Sequence, residues 1–332
     1  MGLKIGLVYD LRSEYLAAGC SAEQVAEFDS EETIAAIDSA LRLPGHATER
    51  IGNARGLCAA LVAGRRWDLV FNFCEGLSGR CRESQAPAIL ELFGVGYTFS
   101  DPLVCAATLD KSVAKRLIRE AGLATPEFHV VARVEDTEKA SLKYPLFVKP
   151  LAEGAGKGIS GRSRIESPEQ LTGVCKDLLR RFAQPVLIEE FLPGREFTVG
   201  VLGTGAEARV LGTIEISVRP EAGPAVYSYE SKERCEELVE YKSLAHGPLR
   251  RKVEDLALAC YRVLECRDAG RVDIRCDRRS RPAFVELNPL PGLHPTHSDL
   301  PMIATQEGMA YMELIGAIIQ SAARRLGLSH ET

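Results

Sequence analysis

One stretch near the C-terminus constrains this chain more than any other. "GRVDIRCDRRSRPAFVELNPLPGL", residues 270–293, reads as two apolar strands around a polar turn, stopped by Pro289, Pro291 and Gly292. The midpoint between Asp273 and Glu286 falls between residues 279 and 280, inside "RRSR", so the segment predicts a hairpin with these two acids as cross-strand neighbours. Asn288 lies two residues beyond Glu286, on the same face of its strand. Like charges placed opposite each other destabilise a sheet unless something neutralises them. Two carboxylates and an amide oxygen are hard-cation ligands, suited to Mg²⁺ that keeps waters and phosphates. A solvated face neutralised by its arginines is the bland alternative. The "PLPG" turn can bring backbone N–H groups to the same place as an anion site.

A magnesium site calls for phosphate, and two lysines sit where packing alone does not ask for them. Lys149 ends the apolar strand "PLFVKP". Lys111 falls in the first turn of a helix, at the positive end of the dipole, where a cation is disfavoured unless it serves an anion. Either alone reads more readily as a surface lysine. Glycines 154, 156, 158 and 161, with Lys157 among them, offer a loop whose N–H groups can cover phosphates. "GKGISG" matches the letters G-x-G-x-x-G, but no amphipathic helix begins within it, so it lacks the context of a dinucleotide fingerprint. Lys157 is followed by Gly158, which excludes a Walker-type loop. "VLIEEFLPGREFTVGVL" joins two strands through a Pro-Gly turn, a natural hinge whose backbone can read an adenine edge, with Glu196 placed to accept from ribose hydroxyls.

The order of elements sets the frame. "LKIGLVYD" is a strand; "DSEETIAAIDSALRLPG" is a helix with Asp29 as N-cap; "WDLVFNF" is a strand; and "RESQAPAILELFGV" is a helix interrupted or begun at Pro87. This alternation predicts a parallel α/β domain over residues 1–100. A helix from "TLDKSVAKRLIREAGLATP", the strand "YPLFVKP", a helix capped by Ser167 with Pro168 and Gln170 completing a capping box, and the strand "PVLIEEFL" make an α+β segment over 101–191. A strand-rich unit with helices at 249–265 and 302–326 follows over 192–328. A net charge of −5 gives no electrostatic footprint for nucleic acid, and no apolar run approaches a membrane span. With no secretory signal in "MGLKIGLVY", the expected location is the cytoplasm. No pair among the ten cysteines has C-x-x-C spacing, so they are expected to be reduced thiols, mostly buried.

Taken in order, "LDK", "FVKP", "EGAGKG", "IEEFLPGREFTV", "YESK", "GRVDI" and "VELNPLPGL" resemble the ATP-grasp ligases, and most closely the branch of D-alanine–D-alanine ligase and its relatives. The resemblance runs from about residue 3 to 325, and the ordered set is specific although each piece is not. It implies an ATP-grasp fold of α/β and α+β parts, with an N-terminal Rossmann-like (pre-ATP-grasp) domain and ATP held between two α+β units. It further implies that ATP phosphorylates a carboxylate and that an amine attacks the acyl phosphate, so the partners are small-molecule acids and amines, with a homodimer left open. By matching motif, Lys111 and Lys149 hold the ATP phosphates. Glu189, the backbone at Phe191 and Leu192, and Glu196 hold adenine and ribose. Asp273, Glu286 and Asn288 bind two Mg²⁺. Arg271 and the Gly292 N–H stabilise the acyl phosphate and oxyanion. Lys232 reaches the transferred phosphate or the acceptor carboxylate, and Ser298 contacts the second substrate.

The departures from the family pattern fall on the amino-acid side. "EGAGKG" stands where D-alanine–D-alanine ligases read E-G-S-S-V-G, and Glu233 replaces the tyrosine expected after "YESK". The opening G-G-x-S-x-E-R-E stretch is absent, and Glu75 stands where the family has a histidine. A substrate larger or more polar than D-alanine is therefore expected. Arg80 or Arg82 would pair its carboxylate and Glu75 would hold an ammonium or polar group, with a solvated loop as the plain alternative. True D-alanine–D-alanine ligase activity and a non-catalytic ATP-binding regulatory module are the competing readings.

Overall fold

An unbroken run of buried side chains makes β1 (Lys4–Tyr9) the middle strand of a parallel sheet of order β2–β1–β3, with β2 (Ala47–Gly52) and β3 (Leu69–Phe73) on either side. The computed structural model describes residues 2–218 and 239–328. Helices α1 (Arg12–Ala17), α2 (Glu31–Arg42), α3 (Ala54–Val62) and α4 (Gln85–Leu92) accompany this sheet. The N-cap of α2 is Ser30, one residue after the expected Asp29: its hydroxyl accepts from the Thr33 N–H at 3.2 Å. Pro87 sits inside the first turn of α4, where a missing N–H costs nothing.

α5 (Pro102–Leu109) and α6 (Lys111–Glu120) follow. Asp110 caps α6 by accepting from the N–H groups of Ser112 and Val113 at 3.1 and 3.2 Å, which fixes Lys111 as its first residue. A second, antiparallel sheet has the order β4–β7–β5–β6: β4 (Phe128–Val131), β5 (Leu146–Pro150), β6 (Arg164–Ile165) and β7 (Val186–Glu190). α7 (Pro168–Phe182) covers it through Leu171, Cys175 and Leu178. Its expected capping box does not close: Gln170 accepts from the Glu166 N–H at 2.9 Å, and the Ser167 side chain does not cap.

The third sheet is antiparallel, in the order β10–β9–β8–β11–β12: β8 (Glu196–Leu202), β9 (Arg209–Val218), β10 (Val239–Ser243), β11 (Ala269–Cys276) and β12 (Pro282–Asn288). α8 (Pro248–Val263) packs on one face, where Val104 of α5 and Ala114 and Ile118 of α6 join the same core. These two helices thus pack under the third sheet, although their place in sequence groups them with the second. The expected single helix over 302–326 is two, α9 (Asp299–Gln306) and α10 (Tyr311–Arg325). Gly308, at φ +79°, turns the chain between them, a conformation that favours glycine. α9 packs on the other face of the third sheet, and α10 returns to α2, so Ile34, Ile37 and Leu41 share one core with Leu300, Ile315 and Ile318. Behind that core, buried Asp268 accepts from Arg325 at 2.7 Å, from Ser321 at 2.9 Å and from the Phe99 N–H at 2.9 Å.

No described cysteine is paired, and Cys74, Cys105, Cys175, Cys260, Cys266 and Cys276 are buried; Cys235 lies outside the described residues. Among the described residues no helix is long and apolar enough to cross a membrane.

Candidate active site

The β11–β12 register pairs Asp273 with Glu286 and Arg271 with Asn288. Period-two alternation then puts all four side chains on one face. Arg271 forks onto Asp273 with Nε at 3.1 Å and Nη2 at 3.0 Å, and Nη1 reaches Asp299 at 2.7 Å. Thr198 donates to Asp273 Oδ1, the oxygen that also accepts from Arg271 Nε, at 2.8 Å. Burial opposes the Arg271 charge, but Asp273, Asp299 and Glu286 outweigh it and hold its pKa above the ordinary value. Asp299, at the start of α9, is a member of this cluster that sequence reasoning missed. Asn288 Nδ2 is buried without a hydrogen-bond partner among the described residues. An amide can present its oxygen instead by a half-turn, so this side chain is available as a hard-cation ligand. Two carboxylates and one amide fit Mg²⁺ that keeps waters and phosphates. Among the described residues no group of three or more His, Cys, Asp or Glu side chains forms a complete protein cage.

Three lysines and two acids converge beside the hairpin. Lys149 Nζ lies 3.2 Å from Glu189 and 3.7 Å from Glu286, and Lys111 Nζ lies 3.6 Å from Glu286. Lys115, one helical turn after Lys111, is fully buried and 2.9 Å from Glu189. Its ammonium also donates to Thr125 Oγ1 at 3.1 Å. Sequence reasoning passed over Lys115. Burial pushes the Lys115 pKa down; burial acts the same way on Lys149, but Glu189 and Glu286 outweigh it and raise that pKa. Burial would raise the Glu189 carboxyl, and its two lysines hold it below the usual range instead.

Lys111, Lys149, Glu189, Phe191, Leu192, Glu196, Asp273 and Glu286 line a single cleft between the second and third sheets. The Phe191 N–H is donated to the Pro145 carbonyl at 3.0 Å, and its ring carries the guanidiniums of Arg164 and Arg275 at 4.7 and 5.0 Å. Glu196 pairs with Arg275 at 3.0 Å. The loop after β5 runs into a short 3-10 turn, Gly161–Ser163, and no α-helix starts in "GKGISG".

A second cavity, of about 560 Å³, shares Lys111, Glu153, Gly154 and Glu286 with the cleft. Arg271, Asn288, Gly292, Ser298 and Glu75 line it. A Cβ on Gly292 would lie 2.8 Å from Ser298 Oγ, so the turn is tight against the start of α9. Ser298 Oγ accepts from the His294 N–H at 2.9 Å. Glu75 has no hydrogen bond or ion pair among the described residues; burial, then Glu83 and Glu27, push its pKa well up. Burial also pushes Glu83 and Asp29, in the same wall, to about 7.

Arg80 and Arg82 do not line this cavity; they line a separate groove. Each has a partner within the protein. Arg82 donates to Glu27 at 2.8 Å and to the Ala152 carbonyl at 2.9 Å, and Arg80 to Asp110 at 2.9 Å. Lys232 lies outside the described residues.

The comparisons with known proteins agree with this arrangement. Residues 117–320 match the family described as "D-ala D-ala ligase C-terminus". The chain is 31% identical to D-alanine–D-alanine ligase of Aquifex aeolicus over 93% of this chain and 100% of that one. It is 34% identical to the uncharacterized protein y4sG of Sinorhizobium fredii, over 86% of each chain. The crystal structure of D-alanine–D-alanine ligase from Bacillus anthracis complexed with ATP superposes with a TM-score of 0.73 at 21% identity, covering 98% of both chains. With three sheets, a carboxylate hairpin facing lysines across a cleft, and these relatives, the chain belongs to the D-alanine–D-alanine ligase family of ATP-grasp enzymes, ligases that form C–N bonds.

Proposed function

We propose that the protein joins an acid to an amino acid that carries an extra cationic or polar group, and that two D-alanines are not its preferred pair. ATP lies in the cleft, with its phosphates toward Lys111 and Lys149 and its base toward Glu189, Leu192 and Glu196. Asp273, Glu286 and Asn288 hold Mg²⁺, which when bound neutralises phosphate charge. A carboxylate oxygen attacks the γ-phosphorus and ADP leaves. The amine nitrogen then attacks the acyl carbon, phosphate departs with the C–O bond electrons, and the nitrogen loses its proton. Arg271 and the Gly292 N–H face the charge that develops on the oxyanion.

The observation that carries the substrate reading is Glu75, a carboxylate facing the second cavity with acids for its nearest charged neighbours apart from Arg82. An ammonium there offsets the burial and the neighbouring acids that keep Glu75 protonated, so the carboxyl ionises against it; a methyl group offers no such compensation. The opposing reading, D-alanine–D-alanine ligase itself, draws support from the Aquifex aeolicus relative, all of whose length is matched. ADP release measured over pairs of amino acids with Mg²⁺ separates the two. The expected result is that an amino acid with a cationic side chain supports faster release than D-alanine, and that Glu75→Gln erases the difference. Fastest release with two D-alanines, unaltered by Glu75→Gln, would reject the proposal.

A further inference from the structure

Lys157 stands in the glycine-rich loop where the family pattern has no lysine, and the structure ties it to the N-terminal domain. Its buried ammonium lies 2.6 Å from Glu27 and 2.5 Å from Glu153. Glu27 belongs to the polar stretch ahead of α2, and Arg82 binds the same carboxylate oxygen at 2.8 Å. The loop backbone is pressed against this acid: a Cβ on Gly154 would lie 2.1 Å from Glu27 Oε1. On its other side the loop meets the phosphate end of the cleft, where Lys111 donates to the Glu153 carbonyl at 2.5 Å.

Burial works against both charges, yet each is held ionised by its partners. Glu27 stays below the usual carboxylate range because Arg82 and Lys157 outweigh its desolvation. Lys157 is raised because Glu27 and Glu153 outweigh its own. An ion pair this shielded is short and strongly directional, unlike an exposed one.

We propose that Glu27 and Lys157 are positioning residues: their ion pair lets the N-terminal domain hold the glycine-rich loop down over the phosphate end of the ATP cleft. The proposal rests on the reading of that cleft as the ATP site. Glu27 also lines the acidic cavity, so loop closure and amine binding bear on one carboxylate.

Single substitutions leave each remaining charged group with a hydrogen-bond or ion-pair partner, Glu153 keeping the Gln184 amide at 2.7 Å when Lys157 is lost, which favours folding of the variants. Without Lys157, Glu27 keeps Arg82; without the Glu27 carboxylate, Lys157 keeps Glu153, and Arg82 keeps Glu83 at 3.7 Å. The experiment measures the KM for ATP and the ratio of ADP to amide formed in Lys157→Met, Glu27→Gln, the double variant and Lys157→Arg. The expected result is a rise in the ATP KM of about tenfold in each single variant, the range for losing a charged hydrogen bond. The double variant should show no further rise. The ADP-to-amide ratio should climb in all three as water reaches the acyl phosphate, and Lys157→Arg should restore both readings. Unchanged KM and ratio in the single variants, or independent effects that multiply in the double, would overturn the proposal. A wild-type protein that binds no ATP would overturn the ATP reading and this one together, whereas normal wild-type binding with indifferent variants removes the latch alone.

Discussion

Asp273 and Glu286 face each other directly across β11 and β12, and the positive groups recorded around them arrive from three directions: Arg271 on Asp273, and Lys111 and Lys149 on Glu286. Glu286 lines both the cleft and the second cavity, and Asp273 lines the cleft. Glu286→Gln should therefore abolish ADP formation while the far-ultraviolet circular dichroism stays that of the wild type. It removes the charged ligand between the lysines without changing shape. Full activity at ordinary Mg²⁺ concentrations would refute the metal assignment.

Arg271→Ala removes a guanidinium that pairs with both Asp273 and Asp299. Turnover should fall by about 10²–10³, comparable with loss of an oxyanion donor, with ATP affinity little changed. Stability should drop by about 3–5 kcal/mol, because two poorly exposed carboxylates lose their counter-charge. Steady-state kinetics and urea unfolding report the two effects separately. Loss of ATP binding at unchanged turnover would assign Arg271 to ground-state binding.

Lys115 shares Glu189 with Lys149. In Lys115→Met the acid is left to Lys149 alone, which should draw that ammonium away from Glu286 and raise the KM for ATP. Breaking a buried pair should cost about 3–5 kcal/mol. Urea denaturation and the ratio of ATP KM to amine KM test this, and an unmoved ratio would leave Lys115 a purely structural lysine.

Burial raises Glu83 from 4.5 to about 7 in the folded protein. Between those values the folded state binds more protons than the unfolded chain, so this group's contribution to stability is complete below about pH 4.5 and is lost as pH rises through about 7. Asp29, raised to about 7, acts in the same sense. Glu83→Gln should flatten the fall in melting temperature across that window. An unaltered pH profile would mean that Glu83 is ionised throughout.

The hairpin was legible because its midpoint and its stop residues lie within one short stretch, and the register Asp273 to Glu286 follows from those alone. The lysines at 111 and 149 were visible because each breaks a local rule, one at a helix start and one at the end of an apolar strand. Lys115 breaks none: on an amphipathic helix it reads as a solvent-facing residue, and only the approach of β7 and β12 buries it. Asp299 likewise resembles an ordinary first-turn acid. The protein partners of Arg80 and Arg82, Asp110 and Glu27, were not legible because they come from distant parts of the chain. Gly308 did signal the break between α9 and α10, but the apolar periodicity on both sides of it outweighed that one residue.

The return of α10 to α2 has a consequence for synthesis. Ile34, Ile37 and Leu41 leave the ribosome long before Ile315 and Ile318, the residues that cover them, have been made. At ordinary elongation rates the interval is on the order of ten seconds or more. For that time the first sheet and its helices have an unsealed apolar flank, and their maturation waits until residues 311–325 have been made. A cassette cut at residue 100 would inherit the same open flank permanently, so grafting this domain elsewhere means carrying Tyr311–Arg325 along with it.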